Sequence, residues 1–330
     1  MPFFLRRLGF YAVALWASVT VNFFLPRLQP GNPLDAFIAQ YQGQLATNPH
    51  LLDTLKAQFP SPKDPLPVQY IHYLGNLAHL DFGISYSQFP ERVNDIVGQT
   101  LPYSLLLAGL STVLAFGLGT LLGVVASWWR GRLLDTAVTS LTMATAAFPP
   151  FFVAMLVLYG LGVLLGWFPL SHVNSSGVTP SFSPTYVLDT LDHAAMPLLA
   201  LLLAALGGWL LAMRSVMINI LAEDYITMAQ AKGLSTRRVM FTYAARNALL
   251  PQVTSFAIVL GYSVTSLVLI EDVFSYPGLG FTMVRAVGAN DYPLMQAIFF
   301  LIVVVMLAAN LVADLLYARL DPRVRAFRGA

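Results

Sequence analysis

Six apolar stretches, each near the length that crosses a bilayer, leave this chain little freedom in how it folds. They run from about Leu8 to Leu25, Leu101 to Trp128, Ala137 to Leu165, Ala195 to Met217, Val253 to Leu269 and Pro293 to Leu316. Roughly 20 helical residues cover about 30 Å of hydrocarbon. No water reaches a backbone amide there, so each stretch must bond to itself as a helix. Composition agrees: 57% of the 330 residues are hydrophobic and 10% are charged, whereas soluble domains carry about 25% charge. The expectation is an all-α integral membrane protein with six transmembrane helices. The first stretch follows Arg6 and Arg7 as a signal peptide would, but no small-x-small site follows it, and it reads as a retained span. Phe148-Pro149-Pro150 must kink or break the third span. Gly119 and Gly123 permit a close helix approach in the second; ordinary packing explains both features.

Between the first and second spans lies the longest polar region. Leu34, Phe37, Ile38, Tyr41 and Leu45 keep helical spacing, as do Leu51, Leu52, Leu55 and Phe59, with a further short helix near Gln69–Leu77. Each is too short and amphipathic to span. The expected organisation is an N-terminal transmembrane helix plus a helical cap over residues 1–95, then a five-span core over residues 96–330. Placing the N-terminus in the cytoplasm leaves only Arg27, Lys56, Lys63, Arg92 and Arg285 of the 18 Lys and Arg residues outside. The positive-inside rule therefore puts both termini in the cytoplasm and the cap outside.

Several chemistries are missing. With no cysteine there is no disulfide or thiolate. None of Lys56, Lys63 and Lys232 is followed by Ser or Thr, so no phosphate-binding G-x-x-x-x-G-K-[ST] loop exists. If ATP drives this protein, another chain binds it. There is no H-E-x-x-H for a metalloprotease, and no basic tract suggests nucleic acid. The scattered histidines His50, His72, His79, His172 and His193 read as surface residues and not as a metal site. The spans nearly lack the mid-membrane ionisable residues of ion-coupled carriers, although a standalone carrier or channel remains open on residues alone.

Two motifs are left. The first, Glu223 to Pro251, is a polar helix-turn-helix between two spans, long for a plain connection. Ala229, Ala231 and Gly233 give its first helix a small-residue surface, Gly233 suits the left-handed position that ends it, and Ser235 is placed to cap the next helix. Lys232, Arg237, Arg238 and Arg246 make it a handle that a separate energy-supplying subunit would grip, with the contact core at Tyr225–Ser235. The second is Glu271-Asp272-Val273-Phe274-Ser275-Tyr276-Pro277-Gly278-Leu279-Gly280 at the outer end of the fifth span. Pro277-Gly278 forces a turn and Gly280 allows unusual backbone angles. Acids beside aromatics suit a gate or a docking lip; a turn capping two helices fits equally.

These motifs resemble the dipeptide/oligopeptide permease family of ATP-binding-cassette importers. The residues that carry the resemblance are Glu271-x-x-Phe274-Ser275-x-Pro277-Gly278-Leu279-Gly280 and Tyr225 to Ser235. Arg6-Arg7-Leu8, Arg27-Leu28-Gln29-Pro30-Gly31-Asn32-Pro33 and Pro65-Leu66-Pro67-Val68-Gln69-Tyr70 match as well. So do Asp81-Phe82-Gly83, Gly166-Trp167-Phe168-Pro169-Leu170 and Leu320-Asp321-Pro322-Arg323-Val324-Arg325. An N-terminal span plus outer cap is similar to the first of the two permease subunits. The resemblance implies a type I importer permease fold and a heterodimer with a second homologous permease. It also implies two ATPase subunits that hold ATP and Mg, and an extracytoplasmic solute-binding protein; this chain itself would bind no cofactor. It implies a coupling helix at about 223–235, with Tyr225, Ala229, Ala231, Lys232, Gly233, Leu234 and Ser235 as coupling residues. Glu271, Asp272, Phe274, Tyr276, Pro277, Gly278 and Gly280 would form the outer gate or docking site. Thr227 stands where many relatives of the wider family have Glu. Peptides are the family's commonest cargo; oligosaccharides, glutathione and nickel are carried by relatives.

Overall fold

A computed structural model describes residues 2–28, 65–175, 177–178, 181 and 183–320. The amphipathic segments from Leu34 to Phe59 and the closing Asp321-Pro322-Arg323 motif lie outside the described residues. All regular structure among the described residues is helical, apart from one isolated bridge between Ile84 and Arg92. The helices are α1 (Pro2–Phe24), α2 (Leu66–Ala78), α3 (Val93–Trp128), α4 (Leu133–Ala147), α5 (Pro150–Val157), α6 (Pro184–Leu221), α7 (Asp224–Ala231), α8 (Thr236–Arg238), α9 (Arg246–Ser266), α10 (Val268–Val273), α11 (Leu279–Gly288) and α12 (Tyr292–Leu320). Wider π-helical turns, Leu158–Leu164 and Val239–Ala245, extend α5 and join α8 to α9.

Four of these helices are long and apolar enough to cross a membrane by themselves, and two bent pairs bring the number to six if each is one span. The first pair, Leu133–Ala147 with Pro150–Leu164, bends by 105°. The residue before a proline is pushed out of the helical region. Phe148 precedes Pro149 and Pro149 precedes Pro150, so two successive residues are extended, with ψ 142° and 141°. That makes a break, where one proline would make a kink. Pro150 then opens α5, where its missing N–H costs nothing. The second pair, Thr236–Leu260 with Tyr262–Val273, bends by 49°.

The chain divides into two compact units. One comprises Met1–Pro102 and Phe281–Leu307. In it α1 is held to α2 by a Thr20–Tyr70 hydroxyl pair at 2.7 Å and by aromatic edges of Phe23 against Tyr70 and Tyr73. Asn22 donates to the Gln296 carbonyl of α12 at 2.8 Å. Arg27 stacks over Phe23 and donates to Gln69. Asp291, fully buried, accepts from the Ser87 amide at 2.9 Å, the Ser87 hydroxyl at 2.8 Å and the Ser85 hydroxyl at 2.5 Å. Its other oxygen accepts from the Leu294 amide in the first turn of α12, where a carboxylate also meets the positive end of the helix dipole.

The other unit comprises Tyr103–Gly280 and Ala308–Ala330, and α6 runs through its centre against α4, α5, α9 and α10. Close approach explains the glycines at three positions of this packing, Gly119, Gly123 and Gly207. A Cβ on Gly119 would lie 2.5 Å from the Trp209 Cβ, and one on Gly123 would lie 2.7 Å from both the Leu210 carbonyl oxygen and the Met213 Cβ. Gly207 on α6 meets the Thr142 carbonyl of α4 in the same way, at 2.6 Å.

Candidate functional site

The helix-turn-helix expected from the sequence is present as α7, a turn and the run from Thr236 to Ser266. Only Ala222 and Glu223 separate the end of α6 from α7, and their amides bond back to Asn219 and Ile220. The Glu223 carbonyl accepts from the Ile226 amide, so the chain turns from one helix into the next without slack. At its other end α7 closes in a full Schellman motif: the Gly233 amide donates to Gln230 at 2.9 Å and the Leu234 amide to Ala229 at 3.4 Å. Gly233 has φ +73°, as that motif requires, and nothing lies within 4 Å of where its Cβ would stand. Its conformation, and not crowding, demands glycine there.

Ser235 occupies the position before α8, and its carbonyl accepts the helix's first backbone bond from the Val239 amide, but its side chain makes no capping bond. Ala229 also departs from the sequence reading, which put it on an outer small-residue surface. It is buried with Ile226 in a cluster with Val124 of α3, Met213 and Met217 of α6, Val239, Met240, Ala244 and Ala245 of the π turn, and Ala248 of α9. Its small side chain lets α7 sit close on that base. The outward face carries Tyr225, Ala231, Lys232 and Gly233, all exposed, with Leu234 half-buried. Sequence reasoning passed over Met228, which is 59% exposed on the same face. An apolar side chain at helical spacing from Tyr225 was the available signal. Asn247 donates to the Tyr225 hydroxyl at 3.0 Å and so orients that ring from α9.

The second motif forms a turn between α10 and α11. Glu271 is fully buried. Its Oε2 accepts from the Gly280 amide at 2.6 Å, and its Oε1 from the Ser104 hydroxyl at 2.6 Å; that hydroxyl in turn accepts from the Leu279 amide at 2.7 Å. Leu279 and Gly280 open α11, so the carboxylate satisfies one amide that a helix start leaves unpaired directly, and a second through the Ser104 hydroxyl. A Cβ on Gly278 would fall on the Glu271 carboxylate, and one on Gly280 would collide with Val268. Gly280 therefore answers a need for space. The unusual backbone angle belongs to Ser275, at φ +46°. Phe274 and Tyr276 are buried, Pro277 is half-buried and Asp272 is exposed. Burial, reinforced by the neighbouring Glu271, pushes the Tyr276 hydroxyl well above its ordinary pKa, and that hydroxyl finds no hydrogen-bond partner among the described residues. Of the residues proposed for an outer gate or lip, only Asp272 presents an exposed side chain.

Residues 119–326 match the family described as "Binding-protein-dependent transport system inner membrane component". Over 328 residues the chain is 30% identical to the oligopeptide transport system permease protein AppB of Bacillus subtilis (strain 168), covering 98% of this chain and 99% of that one. Over 325 residues it is 32% identical to the dipeptide transport system permease protein DppB of Lactococcus lactis subsp. cremoris (strain MG1363), with coverage of 98% and 99%. Among solved structures, the inward-facing MetNI methionine ABC transporter aligns with a TM-score of 0.54 at 16% identity, over 68% of this chain and 96% of that chain. This likeness is one of fold, the type I importer permease.

Proposed function

The chain belongs to the family of binding-protein-dependent transport system inner membrane components, and from that membership we propose that it is the first of two homologous permeases in an ATP-driven importer of di- and oligopeptides. It is a multi-pass membrane subunit that carries out transport and not catalysis. In this reading it forms a heterodimer with the second permease, and the two share the solute passage. Two ATPase subunits hold ATP and Mg, so this chain needs no cofactor. An extracytoplasmic binding protein delivers the solute to the face that carries the cap and Asp272. Both termini and α7 are cytoplasmic.

The observation that carries this reading is the two-sided build of α7. Its inner side is fixed by Ile226 and Ala229, and its outer side offers Tyr225, Met228, Ala231 and Gly233. A helix bound so firmly to the bundle moves with it as a rigid body when its outer face is pushed. Closure of the two ATPases supplies the push, and the bundle responds by changing which side of the membrane the passage faces.

Met228→Glu tests this, because it changes the outer face and leaves the buried seat alone. Isolation through a tag on this chain should recover the partner permease without the ATPase subunits, and uptake of labelled tri-alanine should stop. Undiminished ATPase association together with undiminished uptake would show that α7 is not the handle.

A further inference from the structure

A partly buried ion pair, with Asp135 buried and Arg214 half-buried, stands one residue from the seat of α7. Asp135, in the first turn of α4, is 3% exposed. Its Oδ1 accepts from Arg214 Nε at 2.7 Å and its Oδ2 from Arg214 Nη2 at 2.8 Å, a two-toothed grip across α4 and α6. Oδ2 also accepts from the Gly131 amide at 2.9 Å, and Oδ1 from the Thr139 hydroxyl at 3.3 Å. Every acceptor direction of the carboxylate is therefore used.

Location gives the pair its meaning. Arg214 follows Met213, and Met213 and Met217 are fully buried in the cluster that receives Ile226 and Ala229. At the same level α3 is pressed onto α6: a Cβ on Gly123 would lie 2.7 Å from the Met213 Cβ and 3.2 Å from the Arg214 amide nitrogen. The turn from α3 to α4 is pinned by the bond from Gly131, which has φ +78°. So α3, α4 and α6 are locked together at the end of the unit where α7 is attached. Apolar side chains of similar volume usually stabilise a fold as well as a buried ion pair does, and what a planar guanidinium on a carboxylate adds is fixed geometry.

We propose that Asp135 and Arg214 are positioning residues for energy coupling: they make α4 move with α7, so that a displacement of α7 reaches the broken span formed by α4 and α5. The proposal rests on α7 being the site where the ATPase acts. Without the pair, α6 and α7 still move together through Ala222 and Glu223, but α4 lags behind.

The native chain has no cysteine, so spin labels can be placed at Asp224→Cys, in α7 but outside the Tyr225–Ser235 contact core, and at Leu141→Cys on α4, both exposed. The sample is the whole complex in lipid nanodiscs, with and without ATP and vanadate. With Asp135 and Arg214 intact, the distance between the labels should stay single and unmoved on trapping. Arg214→Lys keeps the charge but gives up the two-toothed grip, and it should keep the resting distance and lose the single trapped one. Asp135→Glu, as a second variant, should do the same. A trapped distance that stays single in both variants overturns the proposal. So does a distance that moves in the unaltered pair, or a resting distance disturbed equally with and without nucleotide, which would mark a merely stabilising contact. If the ATPase subunits do not co-purify with the unaltered chain, the coupling reading itself falls and takes this inference with it.

Discussion

Gly123→Ala and Gly117→Ala, made in the same helix α3, should move stability in opposite directions. Alanine in place of glycine inside a helix gains about 0.5–1 kcal/mol from backbone propensity alone. At Gly117 nothing lies within 4 Å of the added methyl, so that gain is kept. At Gly123 the methyl lands 2.7 Å from the Leu210 carbonyl oxygen and 2.7 Å from the Met213 Cβ, whereas carbon contacts settle at about 3.5–4.0 Å. The obstacles are backbone and a Cβ, so no rotamer change relieves them, and α3 must part from α6 by roughly 1 Å. Overpacking of this kind costs about 1–3 kcal/mol, which exceeds the propensity gain. Leu210 and Met213 are fully buried on the facing side, and the separation would loosen their packing too. Thermal unfolding of the purified chain in detergent, followed by tryptophan fluorescence, reads the difference. At on the order of 2 °C per kcal/mol, Tm should rise slightly for Gly117→Ala and fall by a few degrees for Gly123→Ala. Equal rises in the two variants would mean that α3 and α6 do not meet at Gly123, and the reasoning about that interface would be wrong.

Two further outcomes follow from the turns. At Gly233 the space is open and only φ +73° matters: Gly233→Ala should cost about 1–2 kcal/mol while Gly233→Asn costs less, and hydrogen exchange at the Leu234 amide should rise more in the alanine variant than in the asparagine variant. At the start of α11, Ser104→Ala removes the relay between Glu271 and Leu279 and should cost about 1.5–3 kcal/mol. Tyr276→Phe deletes a buried hydroxyl that has no partner among the described residues and should be neutral or stabilising; chemical denaturation of the two variants side by side checks the contrast.

What the sequence could tell depended on how far apart the interacting residues lie. Phe148-Pro149-Pro150 breaks a helix by local sterics, and the break was legible without any knowledge of neighbours. Gly233 was legible for the same reason, since a helix end asks for a left-handed residue whatever surrounds it. The direction in which Ala229 faces was not, because it depends on where Met213, Met217 and Ala244 have been carried by other helices. Glu271 fitted a gate, a docking lip or a turn capping two helices equally well, and its capping bonds became visible only with Ser104, 167 residues away, brought to it. The Asp135–Arg214 pair spans 79 residues, and nothing local marks either residue as having found its counter-charge. Ser235 shows the opposite error: a residue type suited to capping can stand in the capping position and make no capping bond.

The composition of the seat under α7 also bears on how the protein is made. Synthesis runs from the N-terminus, so Ile226 and Ala229 leave the ribosome after Val124, Met213 and Met217 but before Val239, Met240, Ala244, Ala245 and Ala248. Until that last group has emerged, α7 lacks five of the eight buried side chains that fix its orientation. The outer face of α7 therefore becomes a defined shape only when α9 has begun to form. The order of folding is thus written into the fold itself: α7 takes its final orientation only after the helices that follow it have packed.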